Sequence, residues 1–334
     1  MAAVSSSSRS RSKSRSRSNH RQGEASSTEK LVEAIIQLLE AGTTPWRREW
    51  DASGGGHHVN LISGHRYQGA NPILLTFGMH LRASALPYWC GFAEAKALGM
   101  FTRKGSQGVR ILRPQVNRVA GDTERSGSLD ASTATPGIKP DDAPTDRVWM
   151  SFRPVVVFNA IDLEGDALAG WVEQRQAEAA GAERSEPDRL AAAEDLLGAW
   201  PVPLSFGGER ACYLPQIDRI QLPERAAFHS AAGFYATWAQ EVIHSTRHAS
   251  CLQRDLSGRF GSRAYAREEL VAELGSVLLG DRLEIGSALE NHAAYLGHWL
   301  DLLRETPQVL FQVLGEARRA VELVLPEAVE NDPG

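Results

Sequence analysis

The spacing of apolar residues predicts short helices and strands in the first half of the chain. A first helix is expected from Ser27 or Thr28, either of which can cap it, to Gly42, because apolar residues recur there every three to four positions. Asn71 or Pro72 is expected to begin a second helix, since proline fits the first helical turn. The other elements expected here are a short helix in FAEAKALGM and strands at 109–112 and 155–158.

The second half of the chain predicts short strands followed by long helices. The expected elements are strands at 212–214 and 218–222, a helix over 230–245, and a further helix in YAREELVAELGSVLLGDRL. Between the halves, residues 119–147 are rich in Gly, Ser, Thr, Pro and Asp without an apolar period, which is typical of a flexible insert. The chain is long enough for about two domains. Their expected bounds are 28–165 and 166–326, with tails at 1–27 and 327–334.

Charge is distributed unevenly along the 334 residues, whose net charge is −5. Residues 1–22 carry six basic residues and no acidic one, in a Ser/Arg alternation with nothing apolar to bury. This tail is therefore expected to be disordered and to attract nucleic acid loosely, whereas a targeting peptide would need an amphipathic helix. Residues 23–118 are also basic, by +4, and the remainder is strongly acidic. A polyanion partner is thus expected to bind the front of the chain.

Cysteine usage and apolar content exclude several classes of protein. Cys90, Cys212 and Cys251 are far apart and form no C-x-x-C pair, which argues against a disulfide framework and against a thiolate zinc site. No apolar run approaches the roughly 18 residues that cross a bilayer. We therefore expect a cytoplasmic protein without a membrane partner.

Aromatic and basic residues are interleaved in the first domain. Rings that stack on unpaired bases, beside cations that follow phosphates, are typical of proteins that bind single strands with little sequence preference. The same tryptophans are equally expected in a core, and cations on loops are often only solvated. The candidate DNA-binding residues are Trp46, Arg47, Arg48, Arg66, Tyr67, Trp89, Lys96, Arg103 and Lys104, with Trp50 and Phe101 in the same pattern.

The stretch WAQEVIHSTRH, from Trp238 to His248, differs by one residue from the helix of a zinc peptidase. In the motif H-E-x-x-H, two imidazoles one turn apart reach a single Zn²⁺, and the glutamate stands over the metal-bound water. Glu241 and His244 occupy the expected places, but Gln240 replaces the first histidine. The pattern alone leaves open a peptidase, a peptidase that has lost its metal, and a helix that never bound one.

An acidic helix is predicted 25 residues after His244. Such a helix supplies the third ligand in zinc sites of the glutamate type, and an acid one turn later can orient a ligand imidazole. Glu269 and Glu273 have this spacing, with Glu268 as the competing choice. A solvated acidic helix start explains the same residues without a metal, because acids are favoured near a helix N-terminus.

The order of seven segments resembles the ArdC-type antirestriction proteins of conjugative plasmids and phages. Those proteins join an N-terminal single-stranded-DNA-binding domain to a C-terminal zincin-like metallopeptidase domain. The resemblance covers residues 28–322 and implies an α+β fold, with an α+β DNA-binding domain followed by a zincin-like domain. The segments are TTPWRREW, NLISGHRYQGANPILL, FAEAKALGMFTRKGSQG, VVVFNAIDLEG, ACYLPQIDRIQLP, FYATWAQEVIHSTRH and YAREELVAELGSVLLGDRL.

This resemblance implies roles for individual residues. The helix of relatives has the pattern H-E-L-[IV]-H-x-[TS]-G-H, so Glu241 corresponds to the general base, His244 to a metal ligand and Glu269 to the acidic ligand. The amide of Gln240 is a poor Zn²⁺ ligand beside an imidazole, and His248 is the alternative ligand. Zn²⁺ is therefore expected to be held weakly or not at all.

Three functions follow from these patterns. The favoured one is an antirestriction-type protein of mobile elements that binds single-stranded DNA and whose zincin-like domain is a weak or inactive peptidase. The second is an active zinc metallopeptidase that uses Glu241. The third is an interaction module without DNA binding, whose partners are restriction or other DNA-processing proteins. DNA binding separates the first function from the third, and metal content separates the first from the second.

Overall fold

A computed structural model describes residues 27–42, 44–46, 56–119, 147–255, 259, 261–286 and 293–326. The Arg/Ser tail, most of the insert and the C-terminal tail fall outside these ranges. Arg47, Arg48 and Trp50 also lie outside the described residues, so the roles expected of them stay predictions.

A four-stranded sheet organises the first half of the chain. The elements, in chain order, are α1 (Ser27–Glu40), β1 (Val59–Asn60), α2 (Asn71–His80), β2 (Tyr88–Gly91), α3 (Phe92–Ala97), β3 (Phe101–Thr102), β4 (Val109–Val119), β5 (Arg147–Asn159) and β6 (Leu163–Glu164). The order in the sheet is β1-β2-β5-β4, with β1 parallel to β2 and the other pairs antiparallel. β3 and β6 form a separate antiparallel ribbon.

β4 and β5 pair over a length that exceeds the predicted strands. Val109 is in register with Val157, and Val119 with Arg147, so the pairing continues through polar residues. Backbone hydrogen bonds hold such residues in strands whatever their hydropathy, which is why the apolar runs predicted only one end of the two strands. α2 packs on that end, and Gly78 permits its approach because a Cβ there would lie 2.5 Å from a methyl carbon of Val109.

Helices dominate the second half. The elements are α4 (Leu168–Ala182), α5 (Glu186–Gly198), β7 (Leu204–Phe206), β8 (Cys212–Leu214), β9 (Arg219–Leu222), α6 (Ala231–Ser245), α7 (Arg263–Leu283), α8 (Ala293–Glu305) and α9 (Val309–Val324). The three strands have the order β7-β9-β8, with β9 parallel to β7 and antiparallel to β8. The two strands and two long helices predicted in this half are confirmed, with bounds within two residues of the prediction.

The largest apolar core joins the two halves of the chain. Val32 and Ile35 of α1 and Phe77 of α2 are buried in one cluster with residues of α6, α7, α8 and α9. The helix that opens the first half therefore completes the core of the second. A smaller cluster around Leu61 and Tyr88 lies beside β2.

The expected α+β class is confirmed by this arrangement of strands and helices. Within the described ranges, no helix is both long and apolar enough to cross a membrane.

Candidate metal centre and nucleic-acid surface

α6 and α7 bring the predicted metal-site residues together. Ser230 and Ser262 cap the two helices, because each hydroxyl accepts a hydrogen bond from the backbone N–H three residues later. Gly275 of α7 lets the helices approach closely, since a Cβ there would lie 2.7 Å from a methyl carbon of Ile243. The side chain of Glu241 is buried on the same part of α6. The sequence thus fixes where each helix begins, and the packing fixes which faces meet.

His244 lies buried between two carboxylates of α7. Its Nδ1 is 3.4 Å from Oε1 of Glu268, and its Nε2 is 3.7 Å from Oε2 of Glu269. Burial by itself would lower the pKa of His244, but the carboxylates of Glu269 and Glu268 raise it to about 10. In the metal-free site the imidazole is therefore a cation held by two anions.

Arg254 holds Glu268 in place from the other side. The guanidinium donates two hydrogen bonds of 2.9 Å to the carboxylate of Glu268, and two more to Thr246 Oγ1 and the carbonyl oxygen of Ile243. Burial would raise the pKa of Glu268, but the hydrogen bonds from Arg254 and the nearby charge of His244 lower it to about 2. Glu268 is thus a fixed carboxylate that faces Nδ1 of His244 as the anion of a buried ion pair.

Glu273 does not take the orienting role that the sequence predicted for it. Its side chain is fully buried one turn further along α7, and its Oε1 accepts a hydrogen bond of 2.8 Å from Trp46 Nε1. The i, i+4 spacing from Glu269 is real, but the rotation of α7 directs Glu273 towards the N-terminal segment. The carboxylate beside the imidazole is Glu268 instead.

Glu241 has the surroundings of a carboxyl group that can hold a proton. Burial raises the pKa of Glu241, although the charge of His244 and a hydrogen bond from the backbone of Tyr213 oppose this shift. Tyr213 belongs to β8, so the edge of the three-stranded sheet lies against the carboxyl group. A buried glutamate with a raised pKa is suited to taking a proton from water near neutral pH.

The predicted metal ligands fit a metal ion only in part. A gap of 3.7 Å between His244 Nε2 and Glu269 Oε2 suits two ligands of one ion, since each would stand about 2 Å from it. Gln240 is half-buried one turn earlier, and Nδ1 of His248 is 2.8 Å from Ser250 Oγ. Among the residues that the structure describes, no three His, Cys, Asp or Glu side chains are grouped closely enough to hold one ion.

Three aromatic residues of the predicted DNA-binding set are buried. Trp46 is 1% exposed, Trp89 is fully buried and Tyr67 is 9% exposed. Trp46 makes edge contacts with other rings of the large core, and Trp89 Nε1 donates to Nδ1 of His58 at 3.1 Å. Rings in these positions have no free face for a base, so their role is packing and the predicted stacking role is corrected.

The predicted cations divide into two groups. Arg66 Nη2 is 3.1 Å from Oδ2 of Asp281 on α7, so its charge is compensated within the protein. Lys96 and Lys104 are exposed on the segment that carries α3 and β3. Arg103 is exposed as well, although its Nε donates to the Leu163 carbonyl at 3.0 Å. Of the predicted cations that the structure describes, Lys96, Arg103 and Lys104 therefore face solvent without an ion pair to another described residue.

Two features of the metal centre and of the nucleic-acid surface were not predicted from the sequence. Arg254 stands in a polar loop, where no periodicity distinguishes a buried arginine from a solvated one. Phe92 is half-exposed at the start of α3, on the same short segment as Lys96. An aromatic residue one turn before a lysine is a weak signal, but it is visible in the sequence.

Two family models match the chain. Residues 25–135 match the N-terminal domain of the anti-restriction factor ArdC. Residues 191–315, which include α6 and α7, match a zincin-like metallopeptidase. The matched regions therefore contain the exposed cations and the predicted metal residues, respectively.

Relatives from Escherichia coli and Sinorhizobium fredii align over most of the chain. A DNA primase TraC of Escherichia coli is 34% identical over 89% of this chain and 27% of its own length, and a second TraC is 33% identical over 20% of its length. The chain thus spans about a quarter or less of these two relatives. The protein y4eC of Sinorhizobium fredii is 30% identical over 88% of this chain and 90% of its own length.

Solved structures of the antirestriction protein ArdC from plasmid R388 share the fold. The metal-free structure has a TM-score of 0.61 and 28% identity, and covers 90% of this chain and 96% of that one. The Mn(II)-bound structure has a TM-score of 0.60 and 27% identity, and covers 89% of this chain and 96% of that one.

Proposed function

Because the chain belongs to the family of ArdC-type antirestriction proteins with a zincin-like domain, we propose that it binds single-stranded DNA through its first half and holds a divalent metal weakly in its second. The family and the zincin-like domain follow from the comparisons. DNA binding, its preference for single strands and the strength of metal binding are the proposed part.

The exposed cations of one short segment carry the proposal of DNA binding. Lys96, Arg103 and Lys104 lie within nine residues of one another in the domain matched to the N-terminal domain of ArdC. Cations that face solvent without a carboxylate partner are free to neutralise phosphates and release their counterions. Unpaired strands fit such a surface better than duplex where rings beside the cations can stack on bases.

The geometry of the second half supports weak metal binding. His244 and Glu269 are spaced as ligands of one ion, and Glu268, held by Arg254, faces Nδ1 of the imidazole. The third protein ligand that zinc sites require is replaced by Gln240, whose amide oxygen is a poorer donor. When bound, a metal ion would polarise a water molecule or a peptide carbonyl there. His244 and Glu269 would hold it, and the raised pKa of Glu241 suits that residue to accept the proton of such a water.

An active peptidase is the second candidate function, and the burial of Glu241 beside His244 is the observation that favours it. The general-base position keeps its glutamate, and that side chain is buried, so only the metal affinity is in question. A partner among restriction or other DNA-processing proteins is also proposed. The match to part of two longer primases supports it, because the module occurs there within a larger DNA-processing chain.

The test of DNA binding uses the full-length protein with a labelled oligo(dT) and the matched duplex over a series of salt concentrations. Wild type is expected to bind the single strand more tightly and to weaken linearly in a plot of log affinity against log salt. The variant Lys96→Ala/Lys104→Ala should bind more weakly and with a smaller slope, whereas Lys30→Ala/Arg210→Ala, at two other exposed positions, is the charge-matched control. Equal affinity for duplex, or an unchanged slope in the double variant, would contradict the proposal.

A further inference from the structure

Two phenylalanine side chains are exposed on the segment that carries the free cations. Phe92 and Phe101 are each 50% exposed, whereas Trp46, Tyr67 and Trp89 of the same half are buried. An isolated apolar residue at a surface is common, but here two half-exposed rings lie within ten residues of the chain, with exposed Leu98 between them. Ile161, two residues before the strand that pairs with β3, is exposed as well, and we refer to these four side chains as the apolar patch.

The backbone places these rings beside the lysines. Phe92 is the first residue of α3 and Lys96 lies four residues later, so the two side chains occupy one face of the helix. Phe101 stands in β3, and Lys104 follows in the turn after that strand. Both rings thus alternate with a cation along one short stretch of chain.

We propose that Phe92 and Phe101 are the stacking residues of the single-strand surface, with Lys96 and Lys104 contacting the phosphates between the stacked bases. The inference rests on the proposed DNA binding. It assigns to Phe92 and Phe101 the stacking role for which the sequence analysis also considered Trp46, Tyr67 and Trp89. A ring with a free face accepts any base, because every base has a π-face, so little sequence preference is expected.

Neighbouring carboxylates define the side on which the phosphates run. Glu164 is in register with Phe101 across the β3–β6 ribbon and is exposed, so it repels a phosphate placed on that side. Glu94 is less important, because its carboxylate accepts hydrogen bonds from the backbone N–H of Gly91 and from Asn60. In the proposed arrangement the sugar-phosphate backbone therefore runs along Lys96 and Lys104. The base stacked on Phe101 lies between that backbone and Glu164.

A protein partner is the competing occupant of this patch. An apolar protein surface would bury Leu98 and Ile161 together with the two rings, and its affinity would depend little on salt. The exposed lysines between the rings favour a polyanion, since a partner that covered them would have to desolvate their charges.

The experiment compares full-length variants for binding to a labelled oligo(dT) over a range of salt concentrations. The informative variants are Phe92→Ala, Phe101→Ala, Phe101→Trp and Glu164→Gln. Phe206→Ala is the matched control, because Phe206 is 44% exposed on β7 in the other half. Thermal unfolding of each variant shows that the fold is kept.

Each alanine variant at Phe92 and Phe101 should bind about tenfold more weakly with an unchanged salt slope, since stacking involves no counterion release. Phe101→Trp should bind at least as tightly as wild type, Glu164→Gln more tightly, and Phe206→Ala equally. If wild type binds oligo(dT) and the Phe92→Ala and Phe101→Ala variants bind it with the same affinity, this inference is overturned and the proposed function stands. No binding of oligo(dT) by wild type would overturn both.

Discussion

Trp46 Nε1 donates a hydrogen bond of 2.8 Å to Oε1 of Glu273. The two residues are 227 positions apart and both side chains are buried. Glu273 lies one turn after Glu269 on α7, so a residue that precedes the sheet of the first half fixes the helix that carries the predicted metal ligand. Further along α7, Asp281 pairs with Arg66 in the same way. The two halves are therefore joined along one helix by buried and half-buried polar contacts.

Trp46→Phe tests this connection. The substitution keeps an aromatic ring in the core but removes one donor to a buried carboxylate, which should reduce the free energy of unfolding by about 1–3 kcal/mol. Urea unfolding measures the change. Glu273→Met, which removes the acceptor, and the double variant complete a thermodynamic cycle, and strictly additive effects of the two single substitutions would show that the bond contributes no coupling.

Gln240→His tests the incomplete ligand set. A second imidazole one turn before His244 restores three protein ligands, so zinc should purify with the variant at about one ion per chain, and its Tm should fall on addition of chelator. The Tm of wild type should respond little. Glu241→Gln in the variant background is the control that keeps the metal and abolishes any gained hydrolysis.

The opposite result for zinc is equally informative. Stoichiometric zinc in wild type that is lost on His248→Ala, but not on Gln240→Ala, would mean that His248 leaves Ser250 and completes the site. That outcome would favour the active peptidase over the weak metal binder.

Arg254→Met tests the carboxylate that faces His244. Arg254 and Glu268 are a buried pair, so removing the guanidinium leaves an uncompensated charge and should reduce the free energy of unfolding by about 3–5 kcal/mol. Arg254→Lys keeps the charge and loses the two-pronged bond, so a smaller loss is expected. The exposed pair of Arg263 with Glu305 provides the control, because Arg263→Met should cost less than about 1 kcal/mol in the same urea experiment.

Glu284 should make stability depend on pH. Burial would raise the pKa of Glu284, but hydrogen bonds from Arg184 at 2.8 Å and His57 at 3.0 Å lower it. The carboxylate therefore stabilises the fold above the pKa of an unfolded glutamate, about 4.3, and this contribution is lost as pH falls through the lowered value in the folded state.

Glu284→Gln should accordingly lower the free energy of unfolding more at about pH 7 than at about pH 3. Urea unfolding over this range measures the difference, with exposed Glu183→Gln as the control for removal of a negative charge. A loss that is the same at every pH would show that the carboxylate contributes through packing alone.

Deletion of residues 1–22 should separate nonspecific electrostatic attraction to DNA from the preference for single strands. Six cations add phosphate contacts but no stacking ring, so the truncated protein should show a smaller salt slope and weaker binding to any DNA. Its preference for oligo(dT) over duplex should be unchanged. If the preference disappeared, the tail rather than the folded segment with Lys96 and Lys104 would be the reader of single strands.

The sequence by itself determined the helices and strands that carry the site. α6 and α7 were predictable because serine caps and apolar periodicity act within a few residues, and the positions of Glu241 and His244 on one helix follow from their spacing alone. The order of the seven segments also sufficed to indicate the ArdC-type family and its α+β fold, since each segment is a local pattern.

Only the tertiary structure decided which side chains meet. Glu268, Glu269 and Glu273 are all acidic positions of α7. The packing of α7 on α6 and on the N-terminal segment sets the rotation of the helix. As a result, Glu268 and Glu269 lie beside His244, and Glu273 accepts a hydrogen bond from Trp46. From composition alone, Trp89 and Phe101 were likewise expected to be equally exposed. The core buries one ring completely and leaves half of the other in solvent, because burial depends on what the rest of the chain places around a residue and not on the residue itself.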